Sequence, residues 1–302
     1  WDELIAAAPA AGHRAIDSDM AAILYTSGST GRPKGVVLSH RNMMAGARSV
    51  AHYLGNHAGD TLLAALPLSF DAGLSQLTTA FQAGARVVLL NWLLPRDVLK
   101  AIERERVTGL TAVPPLYMQL AALDWPAEAT AQLRYWANTG GRMPRATLDA
   151  LRARAPQARP YLMYGLTEAF RSTFLPPSEV DRRPTSIGKA IPECEVFPLT
   201  SDGRRAKPGE PGILVHRGPT VSLGYWRRPD DTARVLRPNP LRDGTEGGEI
   251  VCWSGDLVYE DDEVLGFKDI APQAPVHVLF VPKVTVPTLN DLQPSQAEVV
   301  GR

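Results

Sequence analysis

Tyr25-Thr26-Ser27-Gly28-Ser29-Thr30-Gly31-Arg32-Pro33-Lys34-Gly35 lies between two short apolar runs, Ala21 to Thr26 and Gly35 to Leu38. Both runs read as strands, and Ser39 then suits the N-cap of a helix over residues 40–54. Between the strands, Gly28, Gly31 and Gly35 let the backbone turn tightly and bare its N–H groups. Thr26, Ser27, Ser29 and Thr30 add hydroxyl donors, and Lys34 adds a mobile positive charge. Chemically this is a cradle for a polyphosphate. A plain Ser/Gly hairpin turn is the alternative, but such a turn needs neither four hydroxyls nor one of only six lysines in the chain. The loop departs from the Walker type: no Ser or Thr follows Lys34, and the next element reads as a strand where that motif requires a helix.

Outward from the loop, strand and helix patterns alternate. Leu62 to Leu66, Arg86 to Leu90, Leu110 to Val113, Tyr135 to Ala137 and Pro160 to Tyr164 read as strands. Helical stretches fall at about Ser75 to Ala83, from Pro95 to Arg106, from Pro114 to Leu123 and from Arg145 to Arg154. Such alternation argues for an α/β fold, a largely parallel sheet with helices on its faces. Beyond about Ser186 the strands Glu195 to Leu199, Gly212 to Arg217 and Glu249 to Trp253 alternate with Gly/Pro-rich turns, which predicts a smaller β-rich subdomain.

The composition narrows the function classes. The 302 residues carry 32 basic and 32 acidic side chains, so no electrostatic footprint points to nucleic acid or anionic lipid, and a nucleotide partner is a small ligand in a pocket. The longest apolar run, Val87 to Leu94, is too short to span a membrane. Two cysteines, Cys194 and Cys252, cannot make a disulfide framework and read as inert packing in a reducing cytoplasm. His40, His52 and His216 have no partnered spacing and read as structural or surface residues. Trp226 and Trp253 read as packing. The chain opens on Trp1 without an initiator Met, which suggests an internal segment of something longer.

The loop resembles the signature of the AMP-forming adenylate superfamily of acyl-CoA synthetases, luciferases and peptide-synthetase adenylation domains. Further blocks follow in that family's order: Leu66-Pro67-Leu68-Ser69-Phe70-Asp71, then Thr139-Gly140-Gly141 with Met143-Pro144, then Tyr164-Gly165-Leu166-Thr167-Glu168. Gly209 to Thr232, with Gly224-Tyr225-Trp226, and Ser254-Gly255-Asp256-Leu257 complete the series. The wording of Tyr164 to Leu175 and Leu93 to Arg106 is most similar to bacterial acyl-CoA ligases linked with exosortase systems.

The resemblance implies layered sheets flanked by helices over residues 1–190, followed by the β-rich unit 191–257. It also implies ATP-dependent activation of a carboxylic acid to acyl-AMP, then transfer to CoA or to an acyl carrier protein. On these positions Lys34 and the loop hydroxyls would grip the β/γ-phosphates, and Thr167 would contact the α-phosphate. Glu168, with Thr26, would hold Mg²⁺. Gly140, Gly141, Tyr164 and Gly165 would line the adenine, and Asp256 would hold the ribose hydroxyls. Phe70 and Asp71 would line the acyl pocket. Asp71 falls where amino-acid-activating relatives pair with the substrate ammonium. The apolar neighbours Leu68, Leu74, Leu77 and Phe81 favour instead a fatty or other apolar acid, with Asp71 as a helix-capping or turn residue.

After Asp256 the family pattern would continue to a Gly-Arg-x-Asp hinge and a domain bearing a catalytic lysine. Residues 258–302 instead resemble the first half of a histidine-triad nucleotide-binding protein. Asp269 stands at that family's ribose-contacting acid and residues 276–281 at its central strand; the His-x-His-x-His centre is absent, and His277 belongs to no such triplet. Two functional readings therefore stand: an acyl-activating enzyme core, and an ATP- or AMP-binding remnant without turnover.

Overall fold

In the computed structural model, residues 6, 14–26, 33–242 and 248–260 and the backbone of 265–267 are described. Strands β1 (Met20–Thr26) and β2 (Lys34–Ser39) pair antiparallel, with Thr26 opposite Lys34, so both ends of the glycine-rich loop are pinned side by side. Ser39 closes β2 and caps helix α1 (His40–Leu54) in a capping box: its Oγ accepts from Asn42 N–H at 3.1 Å, and its own N–H donates to Asn42 Oδ1 at 2.8 Å.

The alternation continues through β3 (Thr61–Ala64), α2 (Asp71–Ala83), β4 (Arg86–Leu89), α3 (Pro95–Arg104) and β5 (Gly109–Ala112). Helices α4 (Pro114–Ala121) and α5 (Ala127–Thr130), strand β6 (Tyr135–Asn138), helix α6 (Arg145–Arg154) and strand β7 (Arg159–Tyr164) follow. Strands β4, β3, β5, β6 and β7 run parallel in that order, as the sequence pattern requires. The inner strands β3, β5, β6 and β7 bury both faces, while the edge strand β4 leaves Leu89 exposed. Leu63, Leu110 and Trp136 point to a core shared with α3, α4 and α6, while Leu62, Tyr135, Tyr161 and Met163 point to one shared with α1 and α2.

Past β7 the direction reverses. Strands β8 (Thr173–Leu175) and β9 (Ser186–Ala190) continue the sheet antiparallel, and β10 (Glu195–Leu199) and β11 (Pro211–Arg217) form the far end. Strand β12 (Gly224–Tyr225) leaves that sheet and pairs with β2. Helix α7 (Pro229–Val235), β13 (Leu236–Pro238), β14 (Ile250–Glu260) and β15 (Leu265–Phe267) complete the described chain, and β15 joins β14 to β9. The region after Ser186 is thus β-rich as expected, while its strands extend the central sheet through β9.

Three local expectations change. Helix α2 starts at Asp71, four residues before its sequence signal, because Phe70 at its N-cap offers no side-chain cap to mark the start. Strand β14 runs on to Glu260, past Ser254-Gly255-Asp256, where Gly255 takes the positive φ of 84° that such an irregularity requires. Trp226 is 43% exposed beneath Arg227 rather than packed, whereas Trp253 packs with Phe197 and Val251.

Candidate active site

The site forms where β2, β12 and the turn after β7 meet. Asn42 Nδ2 donates to the carbonyls of Pro219 and Val221 at 2.7 and 2.8 Å, which fixes the segment entering β12. Leu223 N–H then donates to Val37 O and Trp226 N–H to Gly35 O, laying Tyr225 beside Val36. From there the Tyr225 hydroxyl donates to Glu168 Oε1 at 2.6 Å, and Lys34 Nζ lies over the Tyr225 ring at 5.1 Å from its centre. Burial, and then the Glu168 charge, push the Tyr225 phenol far up, so it remains a donor.

Lys34 also pairs with Asp231 of α7 at 3.1 Å, and that ion pair, seconded by Arg228, holds the Asp231 carboxyl below the usual range. The lysine is therefore positioned from both sides at the mouth of the loop. Next to Glu168, the buried Thr167 hydroxyl donates to Asp71 Oδ2 at 3.2 Å, while Asp71 Oδ1 accepts from Ala72 N–H at 2.5 Å. Asp71 is thus the first residue of α2, with each carboxylate oxygen holding one hydrogen bond.

The glycine turn closes the arrangement. Gly140 has φ 73°, and a Cβ there would sit 3.2 Å from Val113 Cγ1 and 3.6 Å from Phe70 Cζ, so this turn abuts the Phe70 ring. Asn138 Nδ2 donates to Gly141 O at 2.8 Å and holds the turn in shape. On the other side, the Tyr164 hydroxyl donates to Asp256 Oδ2, joining β7 to β14. The Tyr164 phenol is pushed well above its ordinary range by burial and by Asp256, and its ring stacks on buried His216 at 6.2 Å.

Lys34, Thr167, Glu168, Phe70, Asp71 and Gly140 therefore belong to one linked set, with Tyr164 of β7 and Asp256 of β14 as a second pair. Thr26 faces Lys34 across the loop base. Ser27, Gly28, Ser29, Thr30 and Gly31 lie outside the described residues, as do Asp269, His277 and residues 276–281. Sequence reasoning missed Tyr225 and Asp231 as site residues, although Gly224-Tyr225-Trp226 was the signal for the first.

No group of three or more His, Cys, Asp or Glu side chains fit for a metal occurs among the described residues. That excludes an all-protein cage there, but a single carboxylate with a hydroxyl and substrate phosphates is the ordinary environment of Mg²⁺. Glu168 fits it, since Oε2 takes no hydrogen bond from any described residue.

The site thus brings together a lysine at the base of a glycine-rich loop, a carboxylate beside it and a tyrosine–aspartate pair. A family model described as "AMP-binding enzyme" matches residues 3–226, and the chain belongs to this family, the adenylate-forming ligases. A second model, "Scavenger mRNA decapping enzyme C-term binding", matches residues 252–302 and so takes in Asp256. A long-chain-fatty-acid–CoA ligase of Escherichia coli O157:H7 is 33% identical over 261 residues, covering 82% of this chain and 43% of the relative. The structure of VinN with L-aspartate aligns with TM-score 0.75 and 32% identity over 86% of this chain and 62% of that one. ATP-bound MatB from Rhodopseudomonas palustris aligns with TM-score 0.76 and 28% identity over 88% and 51%. The chain thus spans less than half the length of the curated fatty-acid ligase it matches. No helix among the described residues is long and apolar enough to cross a membrane.

Proposed function

We propose that this core binds ATP and activates a carboxylic acid, with transfer of the acyl group to the thiol of CoA or of an acyl carrier protein. The observation that carries the reading is the linked set Lys34, Tyr225, Glu168, Thr167 and Asp71 at the base of the phosphate loop. In the first step a carboxylate oxygen bonds to the α-phosphorus, the bond to the β-phosphate oxygen breaks, and pyrophosphate leaves. In the second, a thiol attacks the acyl carbon and AMP leaves. Two anions must meet in the first step, so the chain's contribution is charge and alignment.

Lys34, held against Tyr225 and Asp231, turns to the phosphates with the loop N–H groups and hydroxyls of residues 26–31. Thr167 places its hydroxyl at the α-phosphate. Glu168 and Thr26 would hold Mg²⁺, which supplies positive charge between the phosphate oxygens. Gly140, Gly141 and Gly165 leave room for the adenine beside Tyr164, and Asp256 accepts from the ribose hydroxyls. The free thiols of Cys194 and Cys252 suit a cytoplasmic setting.

For the acid, the reading takes Asp71 as a helix-start residue that accepts from Ala72 N–H, with a substrate that carries no ammonium group; an amino acid paired with Asp71 is the alternative. The body of the acid is apolar in this reading, fatty or otherwise. That expectation no longer rests on Leu68 and Phe81, which are 42% and 69% exposed. It is supported by the 33% identity to a long-chain-fatty-acid–CoA ligase.

The second reading, nucleotide binding without turnover, is favoured by the match of residues 252–302 to a different family model. Acyl-AMP formation, followed as acid-dependent pyrophosphate release, separates the two. Release with an acid supports the enzyme, and ATP binding without release with any acid supports the remnant.

A further inference from the structure

Asn42, a side chain only 3% exposed, does two separate jobs with the two ends of its amide. Oδ1 accepts from Ser39 N–H at 2.8 Å, which is its part in the capping box of α1. That bond also decides which amide atom is the oxygen, so Nδ2 faces the other way. There it donates to the carbonyls of Pro219 and Val221 at 2.7 and 2.8 Å, across 177 and 179 positions of sequence. The helix cap has no use for those two donations. They serve the segment that leads into β12.

That segment grips Glu168 twice. Ser222 N–H, next to Val221, donates to the main-chain carbonyl of Glu168 at 2.9 Å, and the Tyr225 hydroxyl donates to its carboxylate at 2.6 Å. Glu168 is therefore held by backbone and by side chain from one stretch of chain. Strand β12 spans only two residues, and a ladder that short is a weak anchor by itself. Asn42 sits instead on α1, which follows directly from β2, the strand that begins at Lys34. A rigid path thus runs from Lys34 along β2 to Asn42, through its amide to residues 219–225, and on to Glu168. The two opposite charges at the base of the loop are placed relative to each other through one amide group.

We propose that Asn42 is a positioning residue: through Ser222 and Tyr225 it sets the Glu168 carboxylate relative to Lys34, and with it the site's grip on a Mg²⁺-bound nucleotide. The inference rests on the ATP-binding reading above, in which Glu168 is the carboxylate for the metal. A site of this kind tolerates displacements of only a fraction of an ångström in the groups that hold its ligand, so the amide acts on binding although it touches neither nucleotide nor metal.

Calorimetry on the 302-residue chain tests this with a non-hydrolysable ATP analogue, titrated once with Mg²⁺ and once in EDTA. Asn42→Asp keeps the size and the acceptor for Ser39 but turns an oxygen toward the Pro219 and Val221 carbonyls; Asn42→Ala removes both ends. Each is expected to weaken binding with Mg²⁺ about tenfold and to leave binding in EDTA within about twofold. Added to Tyr225→Phe, Asn42→Asp should cost little more, because both changes act through Glu168. Ser39→Ala cuts the helix cap and spares the two donations, so it should lower the urea midpoint without a Mg²⁺-selective loss. Circular dichroism and the retained affinity in EDTA report that the Asn42 variants are folded. Equal weakening with and without Mg²⁺, unchanged binding in both Asn42 variants, additive losses in the double variant, or the same Mg²⁺-selective loss in Ser39→Ala would each overturn the proposal. Absence of nucleotide binding in the unsubstituted chain would overturn the ATP-binding reading itself, and the inference with it.

Discussion

The Tyr225 hydroxyl donates to Glu168 Oε1 at 2.6 Å, across 57 positions of sequence, and so ties β12 to the turn that ends β7. The bond leaves Glu168 Oε2 directed by its neighbour while still open to a metal. Tyr225→Phe removes the tether and keeps the ring under Lys34. Loss of a hydrogen bond to a charged group of this kind costs about 1.5 kcal/mol, roughly tenfold in affinity. Nucleotide binding measured with Mg²⁺ is expected to weaken by that order, and binding measured in EDTA is expected to change little.

Asp231 competes with phosphate for Lys34, to which it lies at 3.1 Å. Asp231→Asn removes the competing charge and should tighten ATP binding severalfold at low salt. The gain should shrink at about 0.5 M salt, where the screening length falls to a few ångströms. Lys34→Ala should weaken binding under both conditions. Titrations at two ionic strengths distinguish the variants.

The Tyr164 hydroxyl and Asp256 Oδ2 are joined from strands 92 positions apart. If Asp256 accepts from the ribose, Asp256→Ala removes charge-assisted bonds worth roughly 1.5–3 kcal/mol, about 10- to 100-fold in ATP affinity. The variant should also lose the ability to tell ATP from 2′-deoxy-ATP. Affinities for the two nucleotides in both proteins provide the check.

Stability should fall in acid in two stages. Burial holds the His216 imidazole neutral in the folded chain and lowers its pKa to about 3, with neither ring nitrogen hydrogen-bonded. The unfolded chain takes up that proton below about pH 6.5, so the fold is at full strength above that value and loses about 2 kcal/mol by pH 5. For Asp60, burial alone would raise the carboxyl. Donation from Arg134, Thr108, Asn56 and the His57 N–H outweighs it and brings the pKa down to about 2. Its contribution is present above about pH 4 and is lost as pH falls toward 2. Urea midpoints between pH 8 and pH 3 should show the first decline in the unsubstituted chain and not in His216→Leu.

Much of the fold around the site is legible in sequence, because Ser39 and Pro95 announce their helices and the glycine-rich stretch separates two apolar runs that pair as β1 and β2. Strand β10 begins and ends where its sequence signal does, at Glu195 and Leu199. The rest was hidden for physical reasons. Asp231 meets Lys34 across 197 positions, and no local spacing records that contact. Nothing local in the sequence marks Arg171 as buried, since burial of a charge is a property of packing. Helix α2 lacks a capping side chain at Phe70, so its start at Asp71 is not marked by its periodicity, which begins at about Ser75.

Acid-dependent exchange of labelled pyrophosphate into ATP tests the central claim most directly, because it follows formation and reversal of the acyl-adenylate without the second step. With the 302-residue chain, Mg²⁺ and a panel of mono- and dicarboxylic acids and amino acids, the expected result is exchange that requires a carboxylic acid and is abolished in Lys34→Ala. ATP binding with no exchange for any acid would contradict the claim and leave a nucleotide-binding protein without turnover.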